Sequence, residues 1–202
     1  DAIRGDSHRD FTKEPIGRSI TLLAIPMVLE MMMESLFAVV DMFWVAHLGA
    51  DSVASVGLTE AVLTLLFSVA MGLSVATAAM VARRIGEKNP EGAAETAAQS
   101  ILLGLIVAGV TGLTGAWFAP DILRLMGASD SIVATGTGYT RVIYGGSAAV
   151  MLLFLINGVF RGAGDAVLAM RVLWTANLVN LVLNPLLIFG LGPFPRLGVL
   201  GS

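Results

Sequence analysis

Apolar residues in this chain come in long blocks, and most charged residues sit in the gaps between them. Five blocks stand out. The first spans about residues 20–46 and is interrupted by Glu30, Glu34 and Asp41. The second, 61–82, and the third, 96–120, carry no charge. The fourth, about 132–160, contains only Arg141, and the fifth, 172–195, is again uncharged. About 20 apolar residues in helical form cross the hydrocarbon core of a bilayer, so each block predicts one membrane-spanning helix. The runs are too long and too uniform for the alternating strands of a membrane barrel. A helix also satisfies its own backbone groups in lipid. The pattern therefore predicts an all-α integral membrane protein, a helical bundle with five complete transmembrane helices.

The gaps are short and chemically marked. His47 to Asp51, Arg83 to Pro90, Pro120 to Asp130 and Arg161 to Asp165 separate the blocks, and Gly or Pro punctuates each. Residues 1–18 are polar and mixed in charge, and the apolar run after them is too long for a cleavable signal. They are expected to form a cytoplasmic tail, with residues 19–202 forming the transmembrane part. Orientation follows from Lys and Arg. With the N-terminus inside, nine of the 12 basic residues (Arg4, Arg9, Lys13, Arg18, Arg83, Arg84, Lys88, Arg161 and Arg171) fall on the inner side. Arg124, Arg141 and Arg196 fall on the outer side. Trp44, Trp117 and Trp174 fall near span ends, where interfacial anchors belong.

Composition narrows the function classes. Of 202 residues, 56% are hydrophobic and only 13% charged, against about 25% charged in soluble domains. The net charge of −3 offers no basic surface for nucleic acid. There is no cysteine, and the two histidines, His8 and His47, lie far apart. No phosphate loop, HExxH or nucleophile triad is present; the glycines after Arg161 follow a membrane span instead of a strand, which excludes a dinucleotide fingerprint. The protein is expected to be no enzyme and to need no cofactor.

Small residues mark packing faces. Gly104, Ala108, Gly112 and Ala116 recur every four residues in the third block, and Gly158 and Gly162 form a GxxxG step in the fourth. Such stripes let backbones approach closely, either as static packing or as a sliding surface.

The polar residues inside the blocks carry the functional signal. At about 100° per residue, Glu34 lies about 40° and Asp41 about 20° from Glu30 around the helix. The three acids share one stripe, which must face protein or a wet cavity, because lipid exposure of a charge is costly. A sheltered carboxylate can exchange a proton or hold a cation. Pro26, one turn earlier, removes a backbone hydrogen bond and favours a bend. In the fifth block Asn177, Asn180 and Asn184 share one face, and Pro185 follows. With about 1.5 Å of rise per residue, Asp41, Tyr139, Asn180 and Asn184 fall at one level in the outer leaflet, while Asn157 lies near the inside. Arg141 either reaches the outer interface or pairs with an acid. Ser68, Ser74 and Thr77 either line a cavity or bond back to their own helix. Met31, Met32 and Met33 supply adaptable apolar surface.

The run from Pro26 through Asp41-Met42-Phe43-Trp44-Val45-Ala46-His47-Leu48-Gly49 resembles the first helix of multidrug and toxic compound extrusion (MATE) transporters. Asn157-Gly158-Val159-Phe160-Arg161-Gly162-Ala163-Gly164-Asp165 and Asn184-Pro185-Leu186-Leu187-Ile188-Phe189-Gly190 resemble the fourth helix with its loop and the fifth helix. The resemblance runs from about Pro15 onward and leans to the DNA-damage-inducible, DinF-like prokaryotic branch. It implies two six-helix lobes, of which this chain matches the N-terminal one up to the start of a sixth helix. The rest of the transporter would then be a missing C-terminal lobe. It implies efflux of organic cations in exchange for protons or sodium across the cell (inner) membrane. By resemblance, Asp41 is central to ion coupling with Asn180 and Asn184 beside it, Pro26 bends the first helix, and Tyr139 and Asn157 line the cavity. Glu30, Glu34 and Asn177 are expected to line the substrate cavity. Branch members often carry aspartate where this chain has Asn184. That departure favours a proton at Asp41 over a sodium ion held by Asp41 and Asn180. The rival expectations are a lipid-linked oligosaccharide flippase of the same superfamily and an inert truncated membrane fragment.

Overall fold

The computed structural model describes residues 15–201. Residues 1–14, most of the expected tail, lie outside the described residues. Residues 16–18, assigned to that tail from sequence, belong instead to the first helix, α1 (Ile16–Ala46). The chain continues through α2 (Ala50–Gly86), α3 (Pro90–Trp117), a short α4 (Ala119–Leu125), α5 (Asp130–Gly145), α6 (Ser147–Gly162) and α7 (Ala166–Phe189). No strand occurs among the described residues.

Local chemistry sets the helix ends. Asn89 Oδ1 accepts the Gly92 N–H (2.8 Å) just ahead of α3, and Pro90 stands where no N–H is needed. Ser129 Oγ accepts from Ile132 N (3.4 Å) at the start of α5. Asp165 Oδ1 accepts from Leu168 N (2.9 Å) at the start of α7. Helix α7 stops at Phe189, six residues before the expected end of its block, because Gly190 adopts φ +70°. A Cβ on Gly190 would stand 2.9 Å from the Arg196 backbone nitrogen. The segment beyond folds back: Leu197 N–H donates to Leu187 O (2.8 Å), and a 3-10 turn, Gly198–Gly201, lies on α7 and α5.

Helices α1, α2, α3 and α7 are each long and apolar enough to cross a membrane. The fourth predicted span is not one helix. It breaks between α5 and α6 with a bend of 41°. Gly145 and Gly146 followed by Ser147 make that break cheap. Ser147 Oγ donates to Ala108 O across to α3 (3.2 Å), fixing its position. Counted as one bent span, α5 and α6 bring the total to five.

Helices α2, α3, α5 and α6 form the packed body around Leu63, Leu66, Ala70, Ala108, Tyr144, Met151 and Leu155. In lipid this packing rests on close contact more than on expulsion of water. The small-residue stripes serve as packing faces. A Cβ on Gly158 would sit 2.6 Å from Ser74 O, and one on Gly112 2.7 Å from Tyr144 O. Hydroxyls stitch α2 to α5: Thr59 and Thr140 share a buried hydrogen bond (2.9 Å), and Ser131 bonds Asp51. At the turn between α2 and α3 Glu87 is hydrogen-bonded by Arg83 (2.8 Å) and paired with Arg84, which holds its carboxyl below the ordinary value. Helix α1 packs mainly on α7, and this pair stands to one side of the body with most of its surface exposed.

Candidate functional site

Two polar clusters occupy the seams where α1 and α7 meet the body. The first cluster is centred on Asp41. Asn184 Nδ2 donates to Asp41 Oδ1 at 2.6 Å, joining α7 to α1. Asn184 is 6% exposed and Asp41 half-buried. Pro185 follows at once and, lacking an N–H, leaves the Leu181 carbonyl without its helical bond. Tyr139, 6% exposed, packs with Val45 of α1 and Val56 of α2. Its phenol lies within electrostatic reach of Asp41 and of Glu60 on α2. Above Asp41, Trp44 stacks edge-on against Phe43 and Phe189 with ring centroids 5.2 and 6.0 Å apart, and His47 Nδ1 lies 2.8 Å from Phe43 O. Trp44 therefore belongs to an aromatic roof, with its Nε1 buried and unpartnered. Trp117, by contrast, is exposed, as an interfacial anchor would be.

The second cluster is centred on Glu30. Its Oε1 lies 3.3 Å from Arg161 Nη1, and Arg161 Nη2 donates to Ser74 Oγ at 3.5 Å. Ser74 in turn donates to Phe154 O (2.7 Å). Glu30 Oε2 and the Oδ1 of Asn157, a residue only 1% exposed, are buried without partners among the described residues. Trp174 Nε1 donates to Leu29 O (3.4 Å), tying α7 to α1 at this level.

The acids of the predicted stripe thus meet three different environments. Glu30 is buried against Arg161, which offsets its charge. Glu34 is exposed, and Asp41 is held by an amide. The three asparagines of α7 also differ: Asn177 is half-buried, Asn180 exposed and Asn184 buried. Asn180, one turn before Asn184 on α7, makes no hydrogen bond to Asp41 among the described residues. Arg141 is exposed, and no acid pairs with it among the described residues. Pro26 is fully buried within α1. Ser68 and Thr77 bond back to their own helix, whereas Ser74 crosses to α6.

Two residues escaped the sequence reading. Glu60 lies one position ahead of the uncharged stretch, but inside α2, which begins ten residues earlier. Arg161 was assigned to a loop; its signal was the four-residue spacing from Asn157 on one helical face. No group of three or more His, Cys, Asp or Glu suited to a metal ion occurs among the described residues. Any cation at Asp41 would have to rely on amide, hydroxyl and carboxylate oxygens.

The sequence profile of the MatE family matches residues 26–186. The FAD transporter of Shewanella oneidensis is 30% identical over 188 residues, 93% of this chain and 42% of that protein. The probable multidrug resistance protein YoeA of Bacillus subtilis is 29% identical over 192 residues, 95% of this chain and 42% of that protein. Among solved structures, an outward-facing multidrug resistance MATE family transporter of the MOP superfamily superposes with a TM-score of 0.84 at 34% identity. That superposition covers 99% of this chain and 42% of the transporter. The chain thus spans about two fifths of the length of the relatives it matches. With a family match over most of its length, a shared fold and four or five apolar spans, this multi-pass membrane chain belongs to the MatE family.

Proposed function

We propose that this chain forms the N-terminal lobe of a cation-coupled exporter of small organic cations, completed by a second lobe of similar size. The observation that carries the reading is the Asp41–Asn184 contact. It joins two helices that each contain an internal proline, Pro26 in α1 and Pro185 in α7. An ionised Asp41 accepts from the Asn184 amide. Loading Asp41 with a proton or a sodium ion removes that acceptor or redirects it, so the two proline-bearing helices are released to move. A ligand shifts such an equilibrium only by its differential affinity for the two states, and this contact supplies the difference. Release of substrate to the outside would follow from the altered α1. By the distribution of Lys and Arg, the N-terminus is cytoplasmic and the protein sits in the cell membrane.

Substrate charge follows from the acids left open. Glu34 is exposed and Asp41 is half-buried, while the Arg161 charge is offset by Glu30. Such a face attracts cations and repels phosphate-bearing molecules. This weighs against carriage of a dinucleotide, the cargo named for the Shewanella relative. It also weighs against a lipid-linked oligosaccharide, whose phosphates need basic residues.

The test is drug efflux from cells making the intact transporter. Asp41→Asn keeps the side chain's size and removes the charge. Loss of efflux with normal membrane abundance is expected; wild-type efflux by this variant would refute a coupling role for Asp41.

A further inference from the structure

Glu60 is an acid within the apolar length of α2 that the Asp41–Asn184 pair does not explain. It lies ten residues into α2, about 15 Å from the outer end of that helix, at a depth where lipid exposure of a carboxylate is costly. No basic side chain pairs with it among the described residues. Its position is fixed by the packing above it. Val45 and Val56 meet Tyr139 in one buried cluster. Asp41 lies one turn before Val45 on α1, and Glu60 one turn after Val56 on α2. Because the two helices run in opposite directions, both carboxylates come to lie one turn inward of that cluster. Their electrostatic interaction agrees with this geometry. Tyr139 supplies the second observation. It is more than nine-tenths buried, its phenol makes no hydrogen bond among the described residues, and it lies within electrostatic reach of both acids. The titratable groups facing Glu60 are thus Asp41 from α1 and Tyr139 from α5.

We propose that Glu60 is the second carboxylate of the Asp41 site, and that one monovalent cation, a proton or a sodium ion, is shared between Asp41 and Glu60 beside the Tyr139 phenol. This rests on the cation-coupled reading above and adds a residue to it. Two carboxylates one turn from the same buried cluster, with no basic side chain paired to Glu60 among the described residues, repel unless a cation lies between them. Occupancy therefore draws α1 toward α2. An empty site favours their separation and leaves Asp41 to Asn184. Binding of the cation is in this way converted into a choice of partner for α1.

The experiment uses the intact transporter in proteoliposomes with ethidium as the transported probe, under a proton gradient alone and a sodium gradient alone. The gradient that stimulates the wild type identifies the cation. Couplings of this kind typically amount to about 5–150-fold, and E60Q should lose a factor in that range from the stimulation. Its ethidium binding in detergent should stay within about twofold, well below that range. E60D should recover part of the stimulation. D41N and the D41N/E60Q double variant should be equally impaired, because residues of one site are not additive. The double-variant comparison also covers the case in which E60Q alone folds poorly. Wild-type stimulation in E60Q overturns this proposal. So does additive loss in the double variant, or equal loss of ethidium binding in E60Q and E60D, which would make Glu60 a substrate contact. Unchanged stimulation in D41N, or no ethidium movement by the wild type, overturns the underlying exporter reading instead.

Discussion

Single side chains in this bundle either fill a contact or hold a charge, and the two kinds respond differently to replacement. Gly158 and Gly109 make the point for contacts. Alanine at Gly158 would place a Cβ 2.6 Å from the Ser74 carbonyl oxygen, an immobile backbone atom, whereas at Gly109 nothing lies within 4 Å. Overpacking typically costs about 1–3 kcal/mol, and alanine for glycine in an open helix position gains up to about 1 kcal/mol. Thermal unfolding in detergent should therefore show Gly158→Ala destabilised and Gly109→Ala unchanged or more stable. For charge, the Glu30–Arg161 pair is the case to test. Removing one partner of a buried pair costs about 3–5 kcal/mol, whereas replacing both by apolar side chains is often neutral. Arg161 is partly exposed (23% of its side chain), so the lower end of that range, about 3 kcal/mol, applies. Arg161→Met should be less stable than the Glu30→Met/Arg161→Met double variant. The reverse order would mean that Arg161 acts through Ser74 alone.

At the scale of the helix, the decisive residues are the prolines. Pro26→Ala restores an N–H that can donate to the Leu22 carbonyl and removes a penalty of about 3 kcal/mol within a helix. Amide hydrogen exchange around residues 22–30 should slow, and efflux by the intact transporter should fall, since α1 would then resist bending. Faster exchange would show that buried Pro26 stabilises α1 through its contacts. Much of this element structure was legible in the sequence, because lipid makes apolar length a direct measure of a span. Breaks and register were less so. The bend at Gly146 hides inside an unbroken apolar run, and neither glycine nor serine interrupts hydropathy as a charge does. The level shared by Asp41, Tyr139 and Asn184 came from rise per residue alone. Exposure did not, because the rotation of α7 against α1 is set by tertiary contacts, and these bury Asn184 while leaving Asn180 open. Arg161 was misassigned because a chain's charge marks where a span ends and not how far a long side chain reaches back.

The bundle as a whole has a direction in the membrane, and this follows from charges that the packing leaves outside. Lys88 lies in the turn between α2 and α3, beside Arg83 and Arg84, and Asp121 lies in α4, beyond the end of α3. An odd number of crossings separates the two turns, since α3 alone lies between them, so they must face opposite sides. From the excess of Lys and Arg on the Lys88 side, that side is expected to face the cytoplasm. The chain contains no cysteine, so one introduced thiol at a time can report this without any background. Lys88→Cys and Asp121→Cys both fall at exposed positions; Asp121 gives up only a long surface contact of 3.8 Å with Arg124, the kind of pair that is worth little. A membrane-impermeant maleimide added to whole cells should label the Asp121→Cys variant and leave the Lys88→Cys variant unlabelled until the membrane is opened. The inverse pattern would turn the bundle over, placing the Asp41 cluster toward the cytoplasm and the Glu30–Arg161 pair toward the exterior. Labelling of both positions in intact cells would break the argument at an earlier step, because α3 could not then cross the bilayer.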